Sequence, residues 1–414
     1  MTPDARALRI DDYDYSLPDE RIARYPLPDR AQAQLLHYRE GRIDTHRFAK
    51  LPELLPAGTL VIGNQTRVIH ARLLFTLPDG RPLEIFCLEP LDPADYARSL
   101  GSTEAVEWKC LVGGNRRWKS GRIEARVWVG KLECRLTATR GDRLDNTFRI
   151  TFSWRADGPL SFGEVLEAAG SIPLPPYLGR PAEAADRDRY QTVFAEQEGS
   201  VAAPTAGLHF TPEVMARLRE GGSAFRTLTL HVGAGTFKPV TSDTLGDHVM
   251  HREYFSVDRA LLRTLHDQIA AGRPVVSVGT TSMRCLESLF YFGARLLCGE
   301  AAGDSLDQWV ASDARFSERD VAPALAALLE HLQQEGRDTF SGYTQLLLTP
   351  AVRPRVVDGL ITNFHQPRST LLLLVAAMVG EDWRRIYNHA LAHDFRFLSY
   401  GDSSLLWRRS AGAE

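Results

Sequence analysis

Between residues 72 and 155 apolar and polar positions alternate with a period of two, the signature of strands with one face on a core. Leu73 to Leu77 runs into Pro78-Asp79-Gly80, and Leu83, Ile85 and Cys87 then alternate with Glu84 and Phe86, which predicts a hairpin closed by a turn. Ile123, Ala125, Val127 and Val129 form one face of a further strand. Beyond Gly130 the frame flips, and Leu132, Cys134 and Leu136 become the apolar set. A turn or bulge at Gly130 accounts for the flip, because a slip of one residue exchanges the faces of a strand. Phe148, Ile150, Phe152 and Trp154 alternate again. With Val106 to Val112 these make about six short strands, enough for a small β-barrel.

The flanks have a different texture. Ser161 and Glu164 form a capping box before Val165, Leu166, Ala168 and Ala169, and Gly170 terminates that helix. Thr211-Pro212 opens a helix that Gly221-Gly222 closes. Asp258 opens another, apolar at Leu261, Leu262, Leu265 and Ile269 and ending at Gly272. Val275 to Val278 reads as a short strand, and Gly279-Thr280-Thr281-Ser282 turns from it into a helix. Ala324 to Leu332 is helical, Val356 to Thr362 strand-like, and Ser369 caps a last apolar helix. The expected fold class is α/β: a larger, discontinuous α/β domain (residues 1–70 and 156–414) with an inserted six-stranded β-barrel (residues 71–155).

The length of 414 residues agrees with two or three domains of about 100–200 residues each. Five cysteines (Cys87, Cys110, Cys134, Cys285, Cys298) are widely spaced and contain no CxxC. They read as buried free thiols in a reducing compartment. The segment Met1 to Tyr15 holds four aspartates and no apolar run, unlike a signal peptide. The longest apolar run, Leu371 to Gly380, is far short of the ~20 residues of a membrane span. A cytoplasmic protein with no membrane partner is expected.

Four segments are candidates for chemistry. Gly199 to Thr211 is rich in small residues and places His209 just before a helix start, where backbone N–H groups can approach an anionic ligand; a tight structural crossover fits it equally. Leu230-His-Val-Gly-Ala-Gly-Thr-Phe237 follows a strand, where ligands of α/β sheets sit. It lacks the Gly-Lys-Ser/Thr of a phosphate loop and the third glycine of a dinucleotide fingerprint, so a plain turn is also open. Val278 to Ser288 passes from strand to helix and offers Thr280, Thr281, Ser282 and Arg284, with simple capping as the plainer reading. Leu360 to Ser369 places His365 at a strand end. A lone histidine is usually structural, but three in three such loops point to a shared site. The pair His248 and His251 with Glu253 invites a metal reading, but lacks a helical His-Glu-x-x-His and a cysteine cluster. No metal is expected.

Taken together these segments strongly resemble one family, the S-adenosylmethionine:tRNA ribosyltransferase-isomerases of queuosine biosynthesis. The matching residues run in order along most of the chain: Asp14 to Pro18, Arg21 to Ala23, Tyr25-Pro26, Asn64 to Val68, Ala71 to Leu73, Ile172 to Tyr177, Arg189 to Val193, Gly199 to Thr211, Thr229 to Phe237, His248 to Glu253, Thr280 to Ser288, Val357 to His365, Ser369 to Leu371 and Arg396 to Asp402.

The resemblance implies an α/β domain with an inserted barrel and a transferase–isomerase reaction. The ribosyl part of S-adenosylmethionine moves to 7-aminomethyl-7-deazaguanine in the tRNA anticodon. The sugar is isomerised to an epoxycyclopentane, giving epoxyqueuosine, and adenine and methionine leave. S-adenosylmethionine is then a co-substrate, no cofactor is bound permanently, and tRNA is the partner of a monomer or dimer. The sulfonium acidifies the adjacent sugar protons, so a base and an acid could suffice. His209, His231 and His365 are the candidates for that proton transfer. Thr281, Ser282 and Arg284 are candidates for the methionine carboxylate, and Tyr400 and Phe364 for a base or the sulfonium. Asn64, Arg67 and Arg72 are candidates for sugar or phosphate oxygens. Thr205, Gly233, Gly235 and Asn363 complete the expected substrate site.

The chain departs from the family pattern at Gln65 (an acid), His70 (a proline), Gln345 (an acid), Ala351 (a glycine), Gln366-Pro-Arg368 (Leu-Pro-Lys), Leu398 (a phenylalanine) and Ser403-Ser404 (Ala-Met), and it is longer between Leu289 and Thr339. Two alternatives follow: a paralogue that uses S-adenosylmethionine on another acceptor, and a non-catalytic RNA-binding protein on the same scaffold.

Charge sharpens the RNA reading. Lys+Arg 49 and Asp+Glu 52 leave a net −3, which alone argues against a generally cationic binder. Only five of the 49 are lysine, and coding bias suffices for the arginine excess. Yet residues 115–143 hold Arg116, Arg117, Lys119, Arg122, Arg126, Lys131, Arg135, Arg140 and Arg143 against Glu124, Glu133 and Asp142. Nine cations less three anions give +6 there, leaving −9 for the rest, so a basic insert sits on an acidic body. Arg116, Arg117, Lys119 and Arg122 are the expected tRNA contacts. Neutralising the first three is expected to weaken tRNA binding and flatten its salt dependence, the log–log slope falling by about 0.7–0.9 for each phosphate no longer neutralised; an unchanged slope in binding titrations would contradict this.

Overall fold

A computed structural model of the chain describes residues 4–233, 240, 242–317 and 319–409. Its strands, in chain order, are β1 (Gln34–Arg39), β2 (Arg42–Arg47), β3 (Leu60–Asn64), β4 (Thr66–Val68), β5 (Arg72–Thr76), β6 (Pro82–Asp92), β7 (Val106–Gly113), β8 (Arg122–Val129), β9 (Leu132–Leu144) and β10 (Thr147–Ala156). They continue as β11 (Gly170–Ser171), β12 (Gln197–Ser200), β13 (Ala224–Leu230), β14 (Glu253–Asp258), β15 (Val275–Val278), β16 (Ser305–Leu306), β17 (Thr339–Thr344), β18 (Gly359–Asn363) and β19 (Ser403–Trp407). Two large sheets result.

The ten-stranded sheet has the order β16-β17-β14-β13-β3-β15-β18-β19-β1-β2. Its centre, β13-β3-β15-β18, is parallel throughout. Central parallel strands are buried on both faces. Accordingly Leu60 and Ile62 enter one apolar core while Val61 enters another on the far side. The expected helices cover these faces: Pro212–Glu220, Arg259–Ala270, Thr280–Leu297, Val321–Gln334 and Thr370–Val379. The Thr211 hydroxyl, the Asp258 carboxylate and the Ser369 hydroxyl accept the N–H groups of Val214, Leu261 and Leu372 at the starts of three of them. No helix among the described residues is long and apolar enough to cross a membrane.

The alternating segment forms an antiparallel sheet of order β11-β5-β6-β7-β10-β9-β8 with its own core. The predicted faces are the buried ones: Val106, Trp108 and Cys110, then Cys134, Leu136 and Ala138, then Phe148, Ile150 and Phe152. Gly130, at φ +60°, is the first of two turn residues between Val129 and Leu132, which pair directly; this is the flip in frame. Six strands, β5 to β10, lie in the inserted segment as expected, but their closure into a barrel is not seen. The sheet has seven strands, because β11 adds to β5. It curls until β5 and β8 are neighbours, yet no ladder joins them, so it is a half-barrel.

Burial continues around the helix Thr280–Leu297, every residue of which is buried from Thr280 to Ala294. Glu287, on this helix, is completely buried. Its carboxylate accepts the N–H groups of Arg355 (2.8 Å), Val356 (2.9 Å) and Val357 (3.0 Å), which lie just before β18. A peptide run that has not yet joined a sheet needs such partners when buried. Glu287→Ala leaves three buried donors unmatched at about 1–3 kcal/mol each. Chemical denaturation is expected to register a loss of at least about 3 kcal/mol, and a loss below about 1 kcal/mol would mean that water reaches this chain.

Candidate active site

The parallel strands β13, β15 and β18 end on one edge of the sheet, and the loops after them meet there with the segment that follows β12, as the ligand-binding rule for open α/β sheets describes. The loops enclose a cleft of about 810 Å³ including its open mouth. Its wall is Ala202 to Ala206, Gly279 to Thr281, Thr362 to Gln366, Ser369 to Leu371, Tyr177, Val232, Leu398 and Ser399. Of the residues expected from sequence, the cleft unites Thr205, Thr281, Asn363, Phe364 and His365.

His365 is the histidine on the wall. Its Nε2 lies 2.9 Å from Thr362 Oγ1. Its Nδ1 has no hydrogen-bond partner among the described residues. Burial alone pushes its pKa down to about 3, so the ring is neutral at pH 7. His209 stands one layer behind. Its Nε2 is 3.4 Å from Asn363 Nδ2, and Asn363 Oδ1 accepts the Thr205 hydroxyl at 2.9 Å. Burial pushes His209 down to about 4. His231 lies outside the lining, stacked on Tyr96 with ring centroids 4.0 Å apart, and burial lowers it to about 4 as well. Gly199 (φ +133°) permits this stack, since a Cβ there would sit 2.6 Å from His231 Nδ1 and 2.7 Å from Tyr96.

Two helices aim their amino ends into the cleft, Thr280–Leu297 and Thr370–Val379. The first has no side-chain cap and begins at Gly279, φ +88°. Its leading N–H groups are therefore available to an anion. Ser282 is fully buried behind Thr281, its hydroxyl unpartnered.

The other expected ligands are engaged elsewhere. Arg284 Nη1 donates to Glu253 Oε2 at 2.6 Å and its Nε to the Leu346 carbonyl at 3.2 Å, so Glu253 of the His-x-x-His segment serves an arginine. Asn64 grips the Leu230 peptide, donating to its oxygen at 2.9 Å and accepting its N–H at 3.1 Å. The Tyr400 hydroxyl donates to Asp186 at 2.8 Å, and Arg180 holds the same carboxylate with two nitrogens. Arg72 lies over the Phe86 ring, 3.5 Å from Glu84. Arg67 lines a separate cavity between the half-barrel and the body. Gly233 precedes a stretch, including Gly235, that lies outside the described residues. Arg116, Arg117, Lys119 and Arg122 are exposed on and beside the β7–β8 connection. Reading the sequence missed Tyr177, whose hydroxyl meets Ser399 Oγ, and Thr362; both lie within segments that carry the resemblance.

The fold and cleft define an α/β protein with a strand-end cleft in which two helix amino ends lie beside one neutral imidazole. Residues 10–406 match the family described as Queuosine biosynthesis protein, and the chain belongs to that family. It is 39% identical over 405 residues, 98% of this chain and 99% of the relative, to the S-adenosylmethionine:tRNA ribosyltransferase-isomerase of Aromatoleum aromaticum. It is 38% identical over 410 residues, 98% of each chain, to the protein of the same name in Xanthomonas oryzae pv. oryzae. A crystal structure of S-adenosylmethionine tRNA ribosyltransferase from Thermotoga maritima is 26% identical, covering 95% of this chain and 99% of that one, with a TM-score of 0.45.

The three histidines make stability depend on pH. Each has a folded pKa far below its ordinary 6.5, so the unfolded chain takes up protons first as pH falls. Stability present above pH 6.5 is therefore lost on the way down to about 4, by about 1.4 kcal/mol per pH unit for each histidine. His365→Gln is expected to remove one such contribution from the slope of unfolding free energy between about pH 6 and 4.5; identical slopes for variant and wild type would mean the imidazole is hydrated.

Proposed function

We propose that the chain performs the reaction named for its relatives: transfer and isomerisation of the ribosyl group of S-adenosylmethionine to 7-aminomethyl-7-deazaguanine in the tRNA anticodon, giving epoxyqueuosine. The observation that carries this is identity of 39% over 98% of the chain, with no large part of either protein left unmatched. Full-length similarity favours the same acceptor over another one, and a neutral histidine in a strand-end cleft favours catalysis over plain RNA binding.

In this reading the methionine carboxylate lies against the amino end of Thr280–Leu297, where the N–H groups and Thr281 supply donors. His365, neutral at pH 7, is in the base form and presents Nδ1 for the acidic sugar proton next to the sulfonium. Asn363, backed by Thr205 and His209, supplies hydrogen bonds for sugar hydroxyls or the departing adenine. The body (residues 1–70 and 156–414) is assigned the chemistry. The half-barrel segment (residues 71–155), with its exposed Arg116, Arg117, Lys119 and Arg122, is assigned the tRNA backbone.

Incubation with S-adenosylmethionine and tRNA bearing the aminomethyl base is expected to yield epoxyqueuosine by nucleoside mass spectrometry, with stoichiometric adenine. Folded protein that yields neither product refutes the assignment. Thr281→Val is expected to raise KM for S-adenosylmethionine by about fivefold, the worth of one hydrogen bond near 1 kcal/mol, with kcat little changed.

A further inference from the structure

We propose that Tyr15 and Tyr387 are positioning residues for His365: two hydroxyls, from opposite ends of the chain, fix its peptide and thereby the direction of its imidazole in the cleft. The proposal rests on the reading of His365 as a proton-transfer group.

After β18 the chain leaves the sheet at Phe364 and reaches the next helix at Thr370 without regular structure. Its buried peptide groups have no ladder to join, and Pro367 contributes no N–H. Side chains supply the partners. The Tyr15 hydroxyl donates to the His365 carbonyl. The His365 N–H donates to the Tyr387 oxygen at 3.0 Å. The two phenol rings meet edge to face with centroids 5.1 Å apart, so each steadies the other. Thr362 holds Nε2 as a third point. One residue is thus fixed at N–H, C=O and Nε2, and Nδ1 is the nitrogen that no described residue engages.

Neither tyrosine is free to drift. The Arg368 N–H donates to the Tyr13 carbonyl at 2.9 Å, the Phe397 N–H to the Arg21 carbonyl at 2.8 Å and the Ala23 N–H to the Phe397 carbonyl at 3.2 Å. The amino-terminal segment is therefore strapped to the loop that carries His365, at Arg368, and to the later loop at Phe397. Tyr387 projects from helix Asp382–Ala392, which is anchored by buried Trp383 and Ile386. Burial raises the pKa of both phenols, keeping them protonated. This gives Asp14-Tyr15-Ser-Leu-Pro18 a task that the cleft lining alone does not reveal.

The test is adenine release by Tyr15→Phe and Tyr387→Phe, alone and combined with His365→Gln, in the full chain with S-adenosylmethionine and tRNA. Each single variant is expected to lower kcat by about 10- to 100-fold, the usual effect of a misplacement near 1 Å, with KM for S-adenosylmethionine nearly unchanged. In the His365→Gln background Tyr387→Phe is expected to cost less than about twofold, since the group it positions is gone. A loss of equal size in both backgrounds overturns the proposal, and so does a rise in KM with kcat retained. A readout independent of turnover is ¹⁵N-histidine NMR of the full-length protein. One fixed tautomer of His365 in the wild type and an averaged signal in Tyr387→Phe are expected, and identical spectra refute the proposal even where the reaction assigned above stands.

Discussion

The arrangement of this protein follows from burying one long helix on all sides. Thr280–Leu297 lies behind the parallel strands, and no face of it meets solvent until after Ala294. Polar groups on such a helix must find partners inside the protein, and each partner fixes another element. Arg284 takes Glu253 and so seats β14. Ser288 takes Thr344 at 2.8 Å and seats the end of β17. Glu287 takes three peptides and aims β18. The close packing extends to Gly293, where a Cβ would lie 2.0 Å from the Ala324 carbonyl, so helix Val321–Gln334 lies directly against the backbone. With the shaft sealed, the amino end is the part of this helix left to a ligand.

The cleft inherits its electrostatics from that burial. Two helix amino ends supply partial positive charge without a titrating group. The imidazole on the wall is neutral because desolvation outweighs proton uptake. A co-substrate with both a carboxylate and a sulfonium suits such a place. Under the proposed placement the carboxylate faces oriented N–H groups, and the sulfonium faces no protonated histidine. A solvated cleft with imidazoles near the ordinary value of about 6.5 would carry part of a positive charge at neutral pH and repel the sulfonium.

Local patterns were legible in the sequence, and long-range partners were not. The buried faces of β7, β9 and β10 could be read because strand periodicity is a property of neighbours. The flip at Gly130 could be read for the same reason. The segments after β13, β15 and β18 could be picked out because strand ends of one sheet share an edge, and Gly199 to Thr211, which follows β12 of the small sheet, by its run of small residues. Closure of the half-barrel could not, since it depends on whether β5 and β8 pair across the whole segment. Arg284, Asn64 and Tyr400 looked like ligands because their partners lie 31, 166 and 214 positions away. Tyr15 gave no sign of serving His365, 350 positions on. A polar residue beside a glycine-rich turn looks the same in sequence whether it faces a substrate or a peptide.

The departures from the family pattern can be weighed in the same terms. Gln65, in place of an acid, spans Thr227 and Thr229 on β13, accepting at 2.6 Å and donating at 3.1 Å. It needs both capacities, which an ionised acid lacks. Gln345 donates to the Met250 carbonyl at 3.0 Å. His70 Nδ1 lies 2.8 Å from the Glu167 carbonyl in the last turn of helix Phe162–Ala169, a contact that proline cannot make. None of these three lines the cleft. Gln366 and Leu398 do, and neither titrates near neutrality. These two change the shape and hydrogen bonding of one wall, and Ser403 and Ser404, in place of Ala-Met, donate to the Thr362 carbonyl at 3.4 and 3.0 Å, so the departures also reach the partner of the candidate proton-transfer group.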